Sequence, residues 1–345
     1  MNNSTALIFG NGQDTAYLSR FLLEKNYQVI VATRRSGSSN NWRMKELKID
    51  NNPNLIFEWC DITEGSRVNE IINNYKPLEC YNLAAMSFVQ SSFDHPISSS
   101  LINFNGHLNV LEAIKNYSPK TKVYFASSSE TYGKVQEVPQ TEKTPFYPRS
   151  PYAVSKLAAY WAGVNYRESF GLHVCNGILF NHSSPMRGEE FITRKVTKKV
   201  AEIKFKIEAG LSFTSLIVGN VESKRDWGSA EDYVRGMWLM LQYPMADDYV
   251  LATGKTYSIK EFITKAFQYV DIEIEWNGEG YETFATDKND NIIVKTDEKF
   301  YRPCEVDLLI GDSSKARKIL NWEPKMTLDD LIAEMIDADI RRLPY

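Results

Sequence analysis

Tyr152 and Lys156 lie four residues apart in Pro151-Tyr-Ala-Val-Ser-Lys. A helix through this stretch puts both side chains on one face. There a lysine ammonium would lower the pKa of the phenol, which could then work as a base near neutral pH. The plain alternative is a surface tyrosine beside a solvated lysine. Upstream, the apolar run KVYFAS leads into Ser127-Ser128-Ser129-Glu130-Thr131. A hydroxyl at the end of a strand there, such as Ser128, could hydrogen-bond a reacting oxygen. A serine-rich turn of this kind also serves as a helix cap.

A second set of residues suits a phosphate. Gly10-Asn-Gly12-Gln13-Asp14-Thr15 follows the apolar run TALIF and opens a helical pattern. Glycines in such a turn let the main chain approach a pyrophosphate, which then rests on the amides of the helix N-terminus. The third glycine of the usual pattern is missing, with Thr15 in its place, and a tight turn alone would look the same. After the second apolar run, QVIVAT, no acidic residue stands ready for a ribose 2′-hydroxyl. Arg34 and Arg35 stand there instead, with Arg43 further on. Two guanidinium groups suit a 2′-phosphate, which favours NADP over NAD; a solvated basic loop is the alternative. Asp61 either accepts from an adenine amino group or caps the next helix.

The elements that must position these groups alternate. TALIF, QVIVAT, NLIFEWC, CYNLAA, KVYFAS and HVCNGILF read as buried strands, with helical patterns between them. Residues 96–117 read as a helix with Leu101, Phe104, Leu108 and Leu111 on one face. The alternation predicts a mostly parallel sheet covered by helices on both sides. After Asn181, helical patterns dominate over 191–208, 230–242, 259–269 and 328–340, with short strands between. This predicts a smaller mixed unit at the C-terminal edge of the sheet, sharing a ligand cleft with it.

Composition excludes several classes. In 345 residues, 40 basic side chains stand against 44 acidic ones, a net charge of −4, so no global basic field draws the chain to nucleic acid or an anionic membrane. No apolar run nears the roughly 20 residues of a membrane span. The four cysteines (Cys60, Cys80, Cys175 and Cys304) form no CxxC pair, and no cluster has metal-ligand spacing. The start, MNNSTALIFG, has no secretory pattern, and a cytoplasmic location is expected. Trp161, Trp227 and Trp238 read as packing residues, Met237 and Met240 as a core stripe, and Asp247-Asp248 as a solvated loop.

In this order, a glycine-rich turn, a strand ending in serines and a YxxxK helix resemble the extended short-chain dehydrogenase/reductase superfamily. Within it the chain is similar to the GDP-mannose 4,6-dehydratases. The resemblance covers nearly the whole chain. It rests on NGQD, ATRRS, YNLAAMS, SSSETYGKVQEVPQTEKTPFYPRSPYAVSKL, NGILFNHSSPMRG, KRDWGSAEDYV and FYRPCEVD. It implies an α/β fold, a Rossmann-type doubly wound parallel sheet with a smaller mixed α/β substrate-binding domain. Residues 1–180, with parts of 214–253 and 303–312, are expected to form the NADP-binding domain. Residues 181–213, 254–302 and 313–345 are expected to form the GDP-sugar-binding domain.

The resemblance also implies roles. Ser128, Glu130, Tyr152 and Lys156 would be catalytic, with Glu130 taking a C5 proton and protonating the departing 6-hydroxyl. Around the cofactor (NADP, with NAD as the alternative) stand Gly10, Gly12, Gln13, Asp14, Arg34, Arg35, Arg43 and Asp61. Ile62, Leu83, Ala84, Ala85, Leu179, His182 and Arg187 join them, as do Tyr152 and Lys156. Ser87, Ser128, Glu130, Asn181, Lys195, Arg225, Arg302 and Glu305 would hold the GDP-sugar. The implied reaction is dehydration of GDP-mannose to the 4-keto-6-deoxy sugar nucleotide. An epimerase, a 4-ketoreductase and a non-catalytic NADP-binding module are the competing classes, and Glu130 argues against the first. Thr15 in place of a glycine is expected to crowd the pyrophosphate or alter the helix start. Met86 and Phe88 stand where the family usually has Gln and His, an apolar wall that also suits GDP-manno-heptose. No metal, nucleic acid or membrane is expected, and a homodimer or homotetramer is implied.

Overall fold

A computed structural model describes residues 4–35, 41–301, 306 and 308–343. The first half follows the apolar runs. Strand β1 (Thr5–Phe9) leads into helix α1 (Gln13–Glu24), then β2 (Gln28–Thr33), β3 (Leu55–Trp59) and α2 (Gly65–Tyr75). Next come β4 (Glu79–Asn82), α3 (Gly106–Tyr117), β5 (Lys122–Ser128), α4 (Pro151–Phe170) and β6 (Val174–Leu179). Further along lie α5 (Ile192–Glu208), α6 (Ala230–Gln242), β7 (Tyr249–Leu251), α7 (Ile259–Tyr269) and α8 (Leu328–Arg341).

The seven strands form one parallel sheet in the order β7-β6-β5-β4-β1-β2-β3. Its inner strands are mostly apolar and buried because both faces are covered, with buried Glu79, Asn82 and Asn176 among the polar exceptions. On one face Leu18 and Leu22 of α1 pack with Met237, Met240 and Leu241 of α6. On the other, Ile71 and Ile72 of α2 pack with Val110 and Ile114 of α3. The strand order reverses between β1 and β4. There the crossovers leave in opposite directions and open a crevice at the strands' C-terminal ends. Gly10 lies at that point with φ +125, and a Cβ on it would come within 3.1–3.2 Å of the Leu83–Ala84 main chain. Only glycine allows this close approach of the turns after β1 and β4.

The second unit packs α5, α7 and α8 on a mixed four-stranded sheet of Glu275–Asn277, Phe284–Thr286, Ile292–Thr296 and Leu216–Val218. Two short pairings lie between the units: Asn181–Ser183 with Trp227–Ser229, and Lys224–Arg225 with Tyr257–Ser258. Ala316, Leu320 and Trp322 follow the second unit in sequence but pack into the core of the large sheet. No helix among the described residues is long and apolar enough to cross a membrane.

Several expectations need correction. Residues 96–117 do not form one regular helix. Pro96–Ser100 runs into a π turn at Leu101–Asn105 before α3 begins. The extra residue rotates the buried face onto Asn103, His107, Val110, Leu111 and Ile114, while Leu101 is exposed. Gly106, where α3 begins, sits on Ile62, and a Cβ there would come within 2.7 Å of the isoleucine side chain. Asp248 is not solvated: it is buried, and Arg167 binds it through two nitrogens at 2.9 Å while Tyr160 and Asn176 donate to it. Trp161 is exposed, whereas Trp227 and both methionines are buried as expected.

One ion pair ties α5 to α8. Buried Arg194 donates from Nε to Asp339 Oδ1 at 2.9 Å and also through Nη2, and Thr197 donates to Oδ2 at 2.8 Å. Losing one partner strands a buried charge. Asp339→Ala should therefore lower the unfolding free energy by about 3–5 kcal/mol in denaturant titration, while the Arg194→Met/Asp339→Leu pair stays near wild type. A silent Asp339→Ala would show that this contact does not hold the two helices together.

Candidate active site

The catalytic side chains come from β5 and α4. Strand β5 ends at Ser128, whose hydroxyl accepts from the Glu130 amide at 3.2 Å and starts a one-turn 3-10 helix, Ser129–Thr131. Helix α4 begins with a Ser150 cap, whose hydroxyl accepts from the Ala153 amide at 3.1 Å, and with Pro151 at its first position. Tyr152 and Lys156 share the buried face of α4. The helix is pinned from outside: the Tyr152 amide donates to Ser92 Oγ at 3.1 Å. Asn103, in the π turn, donates to Ser155 Oγ at 3.0 Å and accepts from the Met86 amide at 2.9 Å. Sequence reading missed Asn103 because it took the wrong face of that helix. A polar residue inside an apolar pattern was the available signal.

These groups line a cleft of about 300 Å³ between the two units. From the expected site, Asp14, Leu83, Ala85, Ser87, Ser128, Glu130, Tyr152, Lys156, Leu179, Asn181, His182, Arg187, Lys195 and Arg225 line it. Phe88, expected in an apolar wall, also lines it, as do Glu190, Phe191, Asn220, Lys299 and Phe300, none of which was assigned a role. Phe88 meets Phe191 edge-on at 5.8 Å and gives the cleft an apolar wall.

Burial dominates the electrostatics. It pushes the Tyr152 phenol up to about 12; a hydrogen bond with Ser128 pulls the other way, and the Glu130 carboxyl adds to the rise. Burial also draws the Lys156 ammonium down to about 7. Lys156 Nζ donates to the Ala126 carbonyl at 2.8 Å and lies 4.8 Å from the Phe125 ring centre and 6.0 Å from that of Tyr152. The expected lowering of the phenol by the lysine is not seen: the phenol stays raised, the Ser128 hydrogen bond and the Arg187 charge only partly offset burial, and burial weakens the lysine's own charge. His107, beneath them, is held neutral: burial, then the charge of Lys156, lower it to about 3.

The glycine turn leaves an anion site open. No side chain caps α1, and nothing lies within 4 Å of where a Cβ on Gly12 would be. Arg187 is half-buried with its guanidinium carbon 3.8 Å from the Phe191 ring centre, and its buried Nε has no protein partner. Asp14 Oδ1 and Asn181 Oδ1 are likewise buried without one. Burial opposes charge on Asp14, yet His182 and Arg187 hold its carboxyl below the ordinary range. An uncapped helix start, a bare glycine and orphaned donors and acceptors fit a dinucleotide. Thr15 is fully buried inside a regular α1 and does not line the cleft.

Other expected residues lie elsewhere. Gln13 turns away from the cleft, donating to the His182 carbonyl at 3.0 Å and accepting from Ser184 Oγ at 2.8 Å. Asp61 is a local cap, with Oδ1 accepting from the Thr63 amide and hydroxyl. Ile62 is buried against Gly106, and Ala84 sits behind Gly10. Arg34 and Arg35 are exposed just after β2. Arg225 donates to the Val306 carbonyl at 2.6 Å, and Lys195 lies 4.1 Å from the Phe300 ring centre. Arg302 and Glu305 fall outside the described residues. No metal-binding cluster is present among the described residues.

The fold and the site can now be set beside known proteins. A dTDP-glucose 4,6-dehydratase of Streptomyces venezuelae, solved with NAD bound, superposes with a TM-score of 0.82 at 20% identity, over 98% of this chain and 97% of that one. This likeness concerns the fold alone. Closer in sequence, the GDP-mannose 4,6 dehydratase of Drosophila melanogaster is 46% identical over 98% of this chain and 86% of its own length. The Homo sapiens protein of that name is also 46% identical, over 98% and 91%. The sequence model for GDP-mannose 4,6 dehydratase matches residues 7–335, a span that holds the glycine turn, the Ser128–Glu130 strand end and the Tyr152–Lys156 helix alike, and the chain belongs to that family.

Proposed function

We propose that this chain is a hydro-lyase that removes water from GDP-mannose, giving the GDP-4-keto-6-deoxy sugar. The observation that carries the reading is the convergence of half-buried Ser128 with buried Glu130 and Tyr152 in one cleft beside an open dinucleotide site. Relatives named for this activity match the chain nearly end to end. When bound, a nicotinamide cofactor supplies a reversible store for one hydride.

The chain's own residues do the proton work. Tyr152 takes the proton of the sugar's 4-hydroxyl, and Ser128 holds that oxygen by a hydrogen bond. Oxidation at C4 makes the C5 hydrogen acidic. Glu130 removes it and passes it to the 6-hydroxyl, which departs as water and leaves a C5–C6 double bond, so the same carboxyl serves as base and then acid. Addition of the stored hydride at C6 and of a proton at C5, matching the one Tyr152 took, completes the 6-deoxy sugar. A phenol raised to about 12 is a poor base when the cleft is empty. Substrate and cofactor must therefore lower it, through positive charge and hydrogen bonds brought to the phenol oxygen. Asn181, Lys195 and Arg225 are proposed for the nucleotide, the arginine for its planar donor fork.

Arg34 and Arg35, exposed after β2 with no acidic neighbour at that strand end, favour NADP over NAD. A second copy of the chain is proposed to pair over the exposed apolar face of Ile97, Leu101, Val154 and Trp161. Trp161→Glu should then shift the sedimentation coefficient to that of the monomer; a wild type already monomeric would contradict this pairing.

Incubation with GDP-mannose and NADP, read by mass spectrometry, should show loss of one water from the sugar nucleotide. Glu130→Gln should cut turnover by about a thousandfold while leaving dinucleotide affinity unchanged. Tyr152→Phe should also stop the first oxidation. A fully active Glu130→Gln would refute the assigned role, and a product of unchanged mass would favour an epimerase.

Lys156 gives a stability test. Its folded pKa is lowered from 10.5 to about 7, so between these values the unfolded chain binds more protons and stability rises with pH. Lys156→Met should raise the melting temperature near pH 7, and the gain should shrink towards pH 10. An equal gain at both pH values would show that the buried charge is not its source.

A further inference from the structure

Arg43 was expected to reach a 2′-phosphate, but its guanidinium is already engaged. Nε donates to the Met186 carbonyl at 2.9 Å and Nη1 to the Asn11 carbonyl at 3.3 Å. Asn11 lies in the glycine turn, and buried Met186 directly precedes the half-buried Arg187. A second guanidinium holds the neighbouring carbonyl. Arg342, at the C-cap of α8, donates from Nη1 to the Pro185 carbonyl at 2.7 Å and from Nη2 to the Glu46 carboxylate at 2.7 Å. Both guanidiniums lie over the ring of Trp42, at 4.6 and 5.7 Å from its centre.

Two consecutive carbonyls leading to Arg187 are thus each fixed by an arginine from a different element, and one tryptophan ring contacts both arginines. Charge-assisted bonds to main-chain carbonyls are stronger than neutral ones, and stacking on an aromatic face holds the fork in plane. We propose that Trp42, Arg43 and Arg342 form a brace that locks the glycine turn to the 185–187 loop and so positions Arg187 for the dinucleotide. Arg43 is then a positioning residue and not a phosphate ligand. The inference rests on the dinucleotide reading above and says how this chain holds that site in shape. It also accounts for an otherwise idle feature. A tryptophan that is 38% exposed on a one-turn helix, Trp42–Glu46, is kept in place by two cations.

The test uses the full chain and compares NADP with NAD by isothermal titration. Arg43→Ala should weaken both dinucleotides by about tenfold, with their ratio unchanged, because the lost bonds hold main chain. Loss confined to NADP would show instead that Arg43 binds the 2′-phosphate, and would overturn the proposal. Arg342→Ala should act in the same direction on both dinucleotides. In the cofactor-free chain it should also raise hydrogen exchange at the Met186 and Arg187 amides. Trp42→Leu, which keeps both arginines at an exposed position, should reproduce a smaller part of each effect, and Trp42→Phe should restore wild-type behaviour. Unchanged exchange in both Arg342→Ala and Trp42→Leu overturns the brace even when wild type binds normally. A wild type that binds neither dinucleotide would sink the dinucleotide reading itself, a result distinct from failure of the brace.

Discussion

The site depends on keeping a phenol, a hydroxyl and a carboxyl together where water is scarce. Burial, helped by the Glu130 charge, drives the Tyr152 phenol away from ionisation, and burial drives the Lys156 ammonium towards neutrality. Neither group would hold that place on a flexible surface, because solvation would pull both outward. The fold resists this from two sides. Strand β5, central in a fully covered parallel sheet, fixes Ser128 and the turn that carries Glu130. Helix α4 is fixed by its Ser150 cap, by Ser92 at Tyr152 and by Asn103 at Ser155. The chemistry thus rests on hydrogen bonds made by residues that touch no substrate.

The same logic links the cofactor end to the rest of the chain. The strand order reverses between β1 and β4, so the crossovers after them diverge and leave the crevice open. Gly10 lets the turns after these strands meet closely, and the uncapped start of α1 is left for an anion. The opposite wall comes from the second unit through the Asn181–Ser183 strand and the loop that carries Arg187. Gln13, through Ser184 and the His182 carbonyl, joins the two walls. Side chains that the sequence suggested for ligand contact are in this way used to hold the cleft's own shape.

Much of this was legible in the residues. Unbroken apolar runs gave away a doubly covered parallel sheet, because only strands buried on both faces lack alternation. Four-residue spacing put Tyr152 and Lys156 on one face, where the structure has them. The π turn was not legible, since the helical spacing of residues 96–117 carries no mark of one extra residue in the turn. Asp248 looked solvated because Arg167, Tyr160 and Asn176 are remote in sequence and meet it only in the fold. Spacing also could not tell whether an arginine such as Arg43 faces a ligand or a carbonyl. That depends on where main-chain acceptors lie in three dimensions.

The claim that oxidation and elimination share one closed pocket is tested most directly with GDP-mannose carrying deuterium at C4, converted in ordinary water. Transfer within a single pocket predicts that the label reappears at C6 of the 4-keto-6-deoxy product, while C5 carries hydrogen. Label released to solvent, or retained at C4, would contradict the account.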